Sequence, residues 1–324
     1  MRILIIGGAG MVGRKLAERL AKDGQLGGKA ISALTLQDVV PGAVPAGAGF
    51  PVAIKTGDLS EPGEAAKLVA DRPDVIFHLA AIVSGEAELD FEKGYRINLD
   101  GTRYLLDAVR LAGHKPRIVF TSSIAVFGSP FPAAITDEFL TAPLTSYGTQ
   151  KAIGELLLAD YTRKGLLDGI GIRLPTICVR PGKPNKAASG FFSNIIREPL
   201  AGHEAVLPVS EDVRHWHASP RAAVGFLLHA ATIDGEKVGP RRNLTMPGLS
   251  VTVGEQIAAL RKVAGDKVVA RIRREPDPLI VRIVDGWPRN FDARRATELG
   301  FKAEASFEEI IRIHIEDELG GKIA

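Results

Sequence analysis

The sequence predicts an α/β protein with a Rossmann-type, doubly wound parallel sheet and a smaller C-terminal substrate-binding domain. Short apolar strands alternate with helical patterns through the first half of the chain, and a glycine-rich loop follows the first strand. The alternation ends near residue 175, where Pro and Gly cluster. Apolar, β-branched strands without polar alternation are typical of a parallel sheet that helices cover on both faces.

The individual elements follow from hydrophobic periodicity. Strands are predicted at 2–6, 33–37, 52–55, 75–79, 117–121 and 169–174, and helices at 12–22, 62–71, 91–112 and 146–164. Further helices are predicted at 220–231, 250–263 and 307–319. This pattern predicts a nucleotide-type α/β domain at 1–175 and a smaller domain mainly at 176–324, with 220–231 returning to the first domain.

Composition narrows the class of protein. The 324 residues are 45% apolar and 24% charged, with a net charge of +3, and they contain no basic block interleaved with aromatic residues. These numbers favour neither nucleic acid nor a membrane surface as a partner. A single cysteine, Cys178, fits a reducing compartment, and no apolar run reaches the length of a membrane span. We therefore expect a cytoplasmic protein that acts on a small molecule.

Residues 7–13, GGAGMVG, lie where a dinucleotide loop belongs, directly after the strand at 2–6 and before a helix. Glycines at this place let backbone N–H groups approach a pyrophosphate at the positive end of the helix. The loop residues expected at the cofactor are Gly7, Gly10, Met11, Val12 and Gly13. A glycine-rich turn without a ligand is the alternative, and the strand–loop–helix context argues against it.

An acidic residue, Asp38, ends the second predicted strand of the domain, 25 positions after Gly13. A carboxylate there accepts hydrogen bonds from a ribose diol and repels a 2′-phosphate, so NAD is predicted rather than NADP. Arg14 and Lys15 follow the loop and are the residues that argue for NADP. On a helix they fit solvated surface charges.

Several motifs then occur in an order that resembles the extended short-chain dehydrogenase/reductases over roughly the first 180 residues. They are GDLS at 57–60, HLAA at 78–81, NLDGT at 98–102, TSSIAVFG at 121–128, and Tyr147 four positions before Lys151. The resemblance implies that Asp58 and Leu59 contact the adenine side of NAD and that Ala80 lies along the cofactor. It also implies a homodimer paired through the helices at 91–112 and 146–164.

Tyr147 is the predicted catalytic base. A free tyrosine has a pKa near 10, and an ammonium one helical turn away at Lys151 is expected to lower that value. The positive nicotinamide of bound NAD+ adds to this effect. Ser123 is predicted to orient the reacting oxygen, with Ser122 as the nearby competitor. The resemblance further implies that Lys151 holds the nicotinamide ribose and that Asn98 helps a water relay carry the proton away.

The C-terminal half departs from the sugar-nucleotide members of this subfamily. Phe127 stands where those members usually carry tyrosine, and Arg180-Pro-Gly-Lys replaces their usual Pro-x-x-Val-Tyr-Gly-Pro run. The stretches 180–202 and 214–230 instead resemble members that oxidise the 2-hydroxyl of a four-carbon sugar acid, D-erythronate, with NAD. The predicted function is therefore the oxidation of a short sugar acid, and the alternatives are an NDP-sugar epimerase or dehydratase and a redox-inactive NAD-binding regulator.

A sugar acid needs a cation for its carboxylate and polar groups for its hydroxyls. Besides Ser123 and Tyr147, five residues are predicted to bind the substrate: Ser84, Arg180, Ser189, Asn194 and Arg214. Further candidates are Lys183, His215 and His217. The HWH run at 215–217 does not predict a metal site, because three consecutive residues project in different directions and no carboxylate spacing accompanies them.

Overall fold

The computed structural model of the protein describes residues 1–182 and 188–324. The strands are β1 (Arg2–Ile6), β2 (Gln25–Leu26), β3 (Lys29–Ala30), β4 (Ala33–Asp38), β5 (Val52–Thr56), β6 (Val75–His78), β7 (Arg117–Ser123), β8 (Asp168–Leu174), β9 (Thr176–Ile177), β10 (Ala205–Leu207), β11 (Arg214–Ala218), β12 (Asn243–Thr245), β13 (Leu249–Thr252) and β14 (Ile272–Arg274).

The helices are α1 (Met11–Asp23), α2 (Glu64–Val69), α3 (Ser84–Leu89), α4 (Phe91–Gly94), α5 (Gly101–Ala112), α6 (Ser146–Arg163), α7 (Gly190–Leu200), α8 (Pro220–Thr232), α9 (Gly235–Val238), α10 (Val253–Ala264), α11 (Asp266–Val269), α12 (Pro278–Asp285), α13 (Arg294–Glu298) and α14 (Phe307–Leu319). A π-helical turn, Tyr95–Asp100, joins α4 to α5, and a 3₁₀ turn, Ile124–Val126, follows β7. In the described part of the chain no helix combines the length and apolarity needed to cross a membrane.

Seven strands form one sheet in the order β12-β8-β7-β6-β1-β4-β5, and every neighbouring pair is parallel. The chain moves outward from β1 in both directions, first to β4 and β5, then to β6, β7 and β8. The predicted Rossmann fold is confirmed. In such sheets ligands bind outside the carboxyl ends of the strands at the point where the order reverses, which here lies between β1 and β6.

Both faces of the sheet are buried, as the apolar strands predict. Along β1, Ile3 and Ile5 belong to a core under α1 and α8, while Leu4 and Ile6 belong to the core under α2 and α5. Successive side chains of a strand point to opposite faces, so a strand between two helical layers reads as a continuous apolar run.

A separate apolar core forms after residue 176, around α7, α10 and α14, with Phe192, Ile257 and Ile311 fully buried in it. Beside it lie a three-stranded sheet, β13-β11-β9, and the pair β10-β14. Two later elements join the first domain instead. Helix α8 packs against α1, and strand β12 extends the large sheet beside β8. We propose the predicted division, 1–175 and mainly 176–324 with 220–231 returning, and add β12 to the first domain.

Two predicted helices differ from the structure. The helix predicted at 250–263 begins only at Val253, because residues 250–252 belong to β13, which pairs with β11. Thr252 caps α10 through a reciprocal capping box with Glu255, a signal that marks the true start of the helix. The helix predicted at 91–112 is interrupted by the π-helical turn at Tyr95–Asp100.

Four histidines are buried, and burial lowers the pKa of each. The pKa falls to about 3 at His78 and to about 4 at His215 and His314, and it lies well below 6.5 at His217. An unfolded histidine binds a proton near pH 6.5. The unfolded state therefore takes up more protons than the native state below that pH, and the free energy of unfolding decreases as the pH falls from 6.5 toward 4.

His314 offers a test of this linkage, because neither ring nitrogen has a hydrogen-bond partner in the described part of the chain. His314→Leu should flatten the dependence of unfolding free energy on pH by up to about 1.4 kcal/mol per pH unit. Urea unfolding at several values between pH 7 and pH 5 measures the slope. His203→Gln, at an exposed histidine, is the control. Equal slopes for the two variants would contradict the prediction.

Candidate active site

Two adjoining cavities lie at the carboxyl edge of the large sheet. One, of about 340 Å³, is lined by the glycine loop, the end of β4 and Asp58. The other, of about 350 Å³, is lined by the start of α1, the end of β7, the start of α6 and the loop after β8. Leu79 and Ala81, which follow β6, line both cavities. The two cavities thus meet at the topological switch point of the sheet.

The glycine loop leaves no room for side chains. A Cβ on Gly13 would lie 2.2 Å from the Gly7 carbonyl oxygen, and Gly7 itself has φ +91°, with Ala80 N 2.7 Å from where a Cβ would be. Gly10 is the N-cap residue of α1 and has no side chain to accept a hydrogen bond from the helix. The first N–H groups of α1 therefore stay available to a ligand in the groove. This cradle fits a dinucleotide pyrophosphate, and Met11 and Val12 continue it into the second cavity.

Asp38 lines the first cavity at the end of β4. One carboxylate oxygen accepts a hydrogen bond from Ala9 N at 3.0 Å, and the other accepts one from Val39 N at 2.8 Å. These bonds hold the carboxylate at the rim of the first cavity, where a ribose diol would meet it. Arg14 and Lys15, which argued for NADP, do not line this cavity, and Lys15 forms an ion pair with Glu318.

Asp58 and Leu59 line the same cavity, together with Ala80. Burial raises the pKa of Asp58, but hydrogen bonds from Ser60 and Arg96 outweigh this and hold its pKa below the usual range. The Ser60 hydroxyl donates to one carboxylate oxygen at 2.6 Å and Arg96 donates to the other at 2.8 Å. The Asp58 side chain is therefore fixed and negatively charged.

The start of α6 brings the predicted catalytic residues together. Thr145 caps the helix by accepting from Gly148 N at 3.1 Å, and Gly148 packs so closely that a Cβ would lie 2.2 Å from Ala125 O. This contact sets the first turn of α6 against the end of β7. Tyr147 then lies in the second cavity, which Ser123 also lines.

The structure separates the two candidate serines. The Ser122 hydroxyl donates to Glu155 at 2.5 Å, and Glu155 also accepts two hydrogen bonds from Arg173 in a buried ion pair. Among the described residues, Ser123 accepts a hydrogen bond from Ala125 N at 3.1 Å and is near enough to Tyr147 to affect its pKa. Of the two hydroxyls, that of Ser123 is the one left to meet a ligand.

Lys151 does not act on Tyr147 as expected from spacing alone. Its ammonium donates to Thr121 O at 2.7 Å and lies 5.7 Å from the centre of the tyrosine ring. Burial raises the pKa of Tyr147 to about 12, although its bond with Ser123 opposes this, and burial lowers the pKa of Lys151 to about 7, which Glu155 opposes. Burial and Ser123 are the causes of the shift at Tyr147, and Lys151 is not among them.

Asn98 lies in the π-helical turn, buried outside both cavities. Its side chain accepts from Ile82 N at 2.9 Å and donates to Ile82 O at 3.2 Å and to Gln150 at 2.8 Å. The segment after β6 is thereby tied to α6 between Tyr147 and Lys151. Gln150 was missed by the sequence analysis, because a glutamine on a helix carries no motif of its own.

The residues predicted at the substrate separate into two groups. Ser84, Arg180 and Ser189 line the second cavity, and Arg180 donates to Ser189 at 2.8 Å. Asn194 and Arg214 do not line it: Asn194 accepts from Arg197, and Arg214 pairs with Glu255. Lys183 lies outside the described residues.

The two histidines of the HWH run differ. His215 lines the second cavity, whereas His217 is buried in the C-terminal core beside Gln256. Thr176, Trp287 and Pro288 also line the cavity. These three were not predicted from the sequence, because the pairing of β9 with β11 and the approach of a loop more than a hundred residues later bring them there. In the described chain no group of three His, Cys, Asp or Glu side chains is placed to hold a metal.

The glycine-rich groove lies at the switch point and adjoins a cavity lined by a serine, a tyrosine and a lysine. This arrangement defines the class of protein, an NAD-dependent enzyme of the extended short-chain dehydrogenase/reductase type. Residues 3–237 match the NAD dependent epimerase/dehydratase family. The chain belongs to that family.

Two curated relatives cover nearly the whole chain. It is 49% identical over 322 residues to D-erythronate dehydrogenase of Cupriavidus necator, with 98% of each chain covered. It is 42% identical over 316 residues to D-erythronate dehydrogenase of Haemophilus influenzae, covering 98% of this chain and 99% of that one. A crystal structure from Agrobacterium tumefaciens, described as a nucleoside-diphosphate-sugar epimerase, is 72% identical with a TM-score of 0.98, covering 100% of this chain and 96% of that one.

Proposed function

We propose that the protein oxidises the 2-hydroxyl of a short sugar acid, converting D-erythronate to 2-oxo-tetronate with NAD+. One observation carries the proposal: the cavity that holds Ser123 and Tyr147 also holds Arg180, whose guanidinium donates to Ser189 and has no acidic partner among the described residues. A partly buried guanidinium without a carboxylate favours binding one from a ligand. The names of the two curated relatives support the same substrate.

The size of the cavity supports a small substrate. Its volume of about 350 Å³ lies near the lower end of the range for ligand pockets, about 300–1,000 Å³. The start of α1 and Lys151 line it, so part of this space belongs to the nicotinamide end of the cofactor. The remainder suits an acid of a few carbons better than a nucleotide sugar.

The glycine loop, Asp38, Asp58, Leu59 and Ala80 are the residues that would hold NAD. When bound, NAD+ supplies the hydride acceptor and a positive charge beside Tyr147. Tyr147, as phenolate, accepts the proton of the substrate hydroxyl, and Ser123 donates a hydrogen bond that orients the reacting oxygen. Because burial raises the pKa of Tyr147 to about 12, the charge of the bound cofactor is needed to favour the phenolate.

Lys151 and Asn98 support this centre in different ways. Lys151 donates to Thr121 O, and its proposed role is to hold the nicotinamide ribose. Asn98 is proposed for the proton relay, and its contacts indicate a positioning role, since Ile82 and Gln150 occupy its side chain.

We also propose a cytoplasmic homodimer paired through α5 and α6, on whose surfaces Leu111 and Leu156 are 75% and 69% exposed. Light scattering measures the oligomeric state.

Arg180 should determine the affinity for the substrate carboxylate. Arg180→Gln removes the charge and should raise KM for D-erythronate by roughly 10- to 100-fold, because a charge-assisted hydrogen bond contributes about 1.5–3 kcal/mol. Arg214→Gln is the matched control: Arg214 was predicted at the substrate as well but pairs with Glu255 outside the cavity. Steady-state kinetics on both variants separates them, and a larger effect at Arg214 than at Arg180 contradicts the assignment.

A second candidate function is the interconversion of a nucleoside-diphosphate sugar, with NAD tightly held and regenerated. The description of the 72% identical Agrobacterium tumefaciens protein favours it. The two functions differ in net chemistry: D-erythronate with added NAD+ should accumulate NADH, which its absorbance reports, whereas an epimerase accumulates none. Interconversion of a UDP-sugar without any NADH from D-erythronate or related acids overturns the proposed function.

A further inference from the structure

One polar pair in the substrate cavity has no role in the mechanism above. Thr176, in β9, and His215, in β11, both line the cavity that contains Ser123, Tyr147 and Arg180. The two strands are neighbours in the three-stranded sheet, and this pairing places the threonine hydroxyl 2.7 Å from Nε2 of the histidine. Thr176 is partly exposed to the cavity, whereas His215 is 3% exposed.

The proton positions in this pair follow from the chemistry of the partners. Nδ1 of His215 lies 2.9 Å from the carbonyl oxygen of Pro288. A carbonyl only accepts hydrogen bonds, so Nδ1 carries the proton. Burial lowers the pKa of His215 to about 4, so the ring is neutral near pH 7 and Nε2 is an acceptor. The Thr176 hydroxyl must therefore donate to Nε2.

The ring has little freedom to change this arrangement. His215 stacks on Phe192 with the two planes 3° apart and centroids 5.2 Å apart, and Trp287 packs on it at 5.3 Å. Because the threonine proton is committed to the histidine, the lone pairs of Oγ1 that remain can only accept. Toward the cavity, Thr176 can therefore only accept a hydrogen bond. A threonine without the histidine partner could rotate its hydroxyl and either donate or accept.

We propose that Thr176 accepts a hydrogen bond from a second hydroxyl of the substrate, one that does not react, and that His215 is the positioning residue that sets its polarity. This inference rests on the proposed function and deepens it. Arg180 binds the carboxylate, Ser123 and Tyr147 bind the hydroxyl at carbon 2, and Thr176 recognises a hydroxyl farther along the chain. The site then selects polyhydroxy acids against 2-hydroxy acids with an alkyl chain.

The test compares substrates as well as variants. The kcat/KM ratio of D-erythronate to 2-hydroxybutanoate is measured for the wild-type enzyme, Thr176→Val and Thr176→Ser. Valine has the same shape without the hydroxyl, and the ratio should fall by about tenfold or more, because the substrate hydroxyl loses its acceptor. Serine keeps the hydroxyl and should keep the ratio. The analogues 2,3- and 2,4-dihydroxybutanoate show which substrate hydroxyl is recognised.

Three outcomes are decisive. A kcat/KM ratio of D-erythronate to 2-hydroxybutanoate that falls in Thr176→Val but not in Thr176→Ser supports the inference. A ratio unchanged in Thr176→Val overturns it and leaves the proposed function intact. A wild-type enzyme that reduces no NAD+ with any of these acids overturns the proposed function and the inference with it. Independently of turnover, ¹⁵N NMR of the histidines should show a neutral, Nδ1-protonated ring for His215, with an Nε2 shift that changes in Thr176→Val; an Nε2-protonated ring overturns the inference.

Discussion

Tyr147→Phe is expected to lower kcat for sugar-acid oxidation by about 10³-fold or more while the affinity for NAD stays within about threefold of the wild type. The phenol oxygen is the group proposed to accept the substrate proton, and positioned acid–base catalysis typically contributes 10²–10⁴-fold. Ser123 is close enough to the phenol to affect its pKa. Removing the phenol oxygen therefore also loosens the orientation of the substrate. Steady-state kinetics gives kcat, and fluorescence titration with NADH gives the cofactor affinity.

Tyr161→Phe is the matched control for this variant. Tyr161 lies farther along the same helix, α6, and its hydroxyl donates to Asp107 at 2.9 Å; neither residue lines the cavity. Loss of that bond should change stability by about 1 kcal/mol and leave kcat within about twofold. A Tyr147→Phe enzyme that keeps more than about a tenth of wild-type turnover would show that another group removes the proton.

Gly13→Ala is expected to weaken NAD binding by roughly 10- to 100-fold and to destabilise the fold by about 1–3 kcal/mol. The new Cβ would lie 2.2 Å from the Gly7 carbonyl oxygen and 2.9 Å from Gly8 Cα. Both of these atoms belong to the backbone, so no side chain can move aside. The loop must separate from α1, and the N–H groups that face the pyrophosphate lose their geometry.

Gly225→Ala is the control for the glycine change. Gly225 lies on the exposed face of α8 with no atom within 4 Å of a built Cβ. Alanine there should raise stability by about 0.4–1 kcal/mol, because it restricts the unfolded chain and favours a helix, and NAD affinity should not change. Isothermal titration with NADH and urea unfolding measure both effects. Equal NAD affinity in Gly13→Ala and the wild type would contradict the proposed role of the loop.

The start of the α/β fold could be predicted from the sequence because it depends on short stretches of chain. A strand, a glycine loop and a helix are consecutive, and their geometry follows from backbone conformations that a few residues dictate. Asp38 is found in the same way, since the carboxyl end of the next strand lies beside the first. The start of α10 was predicted too early because residues 250–252 form β13, and its pairing with β11 overrides the helical pattern.

By itself, the sequence determined the α/β class, six of the seven strands of the large sheet, the glycine loop and the spacing of Tyr147 and Lys151, because each depends on short stretches of chain. The tertiary structure decided which polar residues share the substrate cavity. Arg180 and Thr176 lie in it and Arg214 does not, because the path of the chain after β8 and the pairing of β9 with β11 place them. It also decided the acidity of Tyr147, since burial depends on everything packed around the phenol.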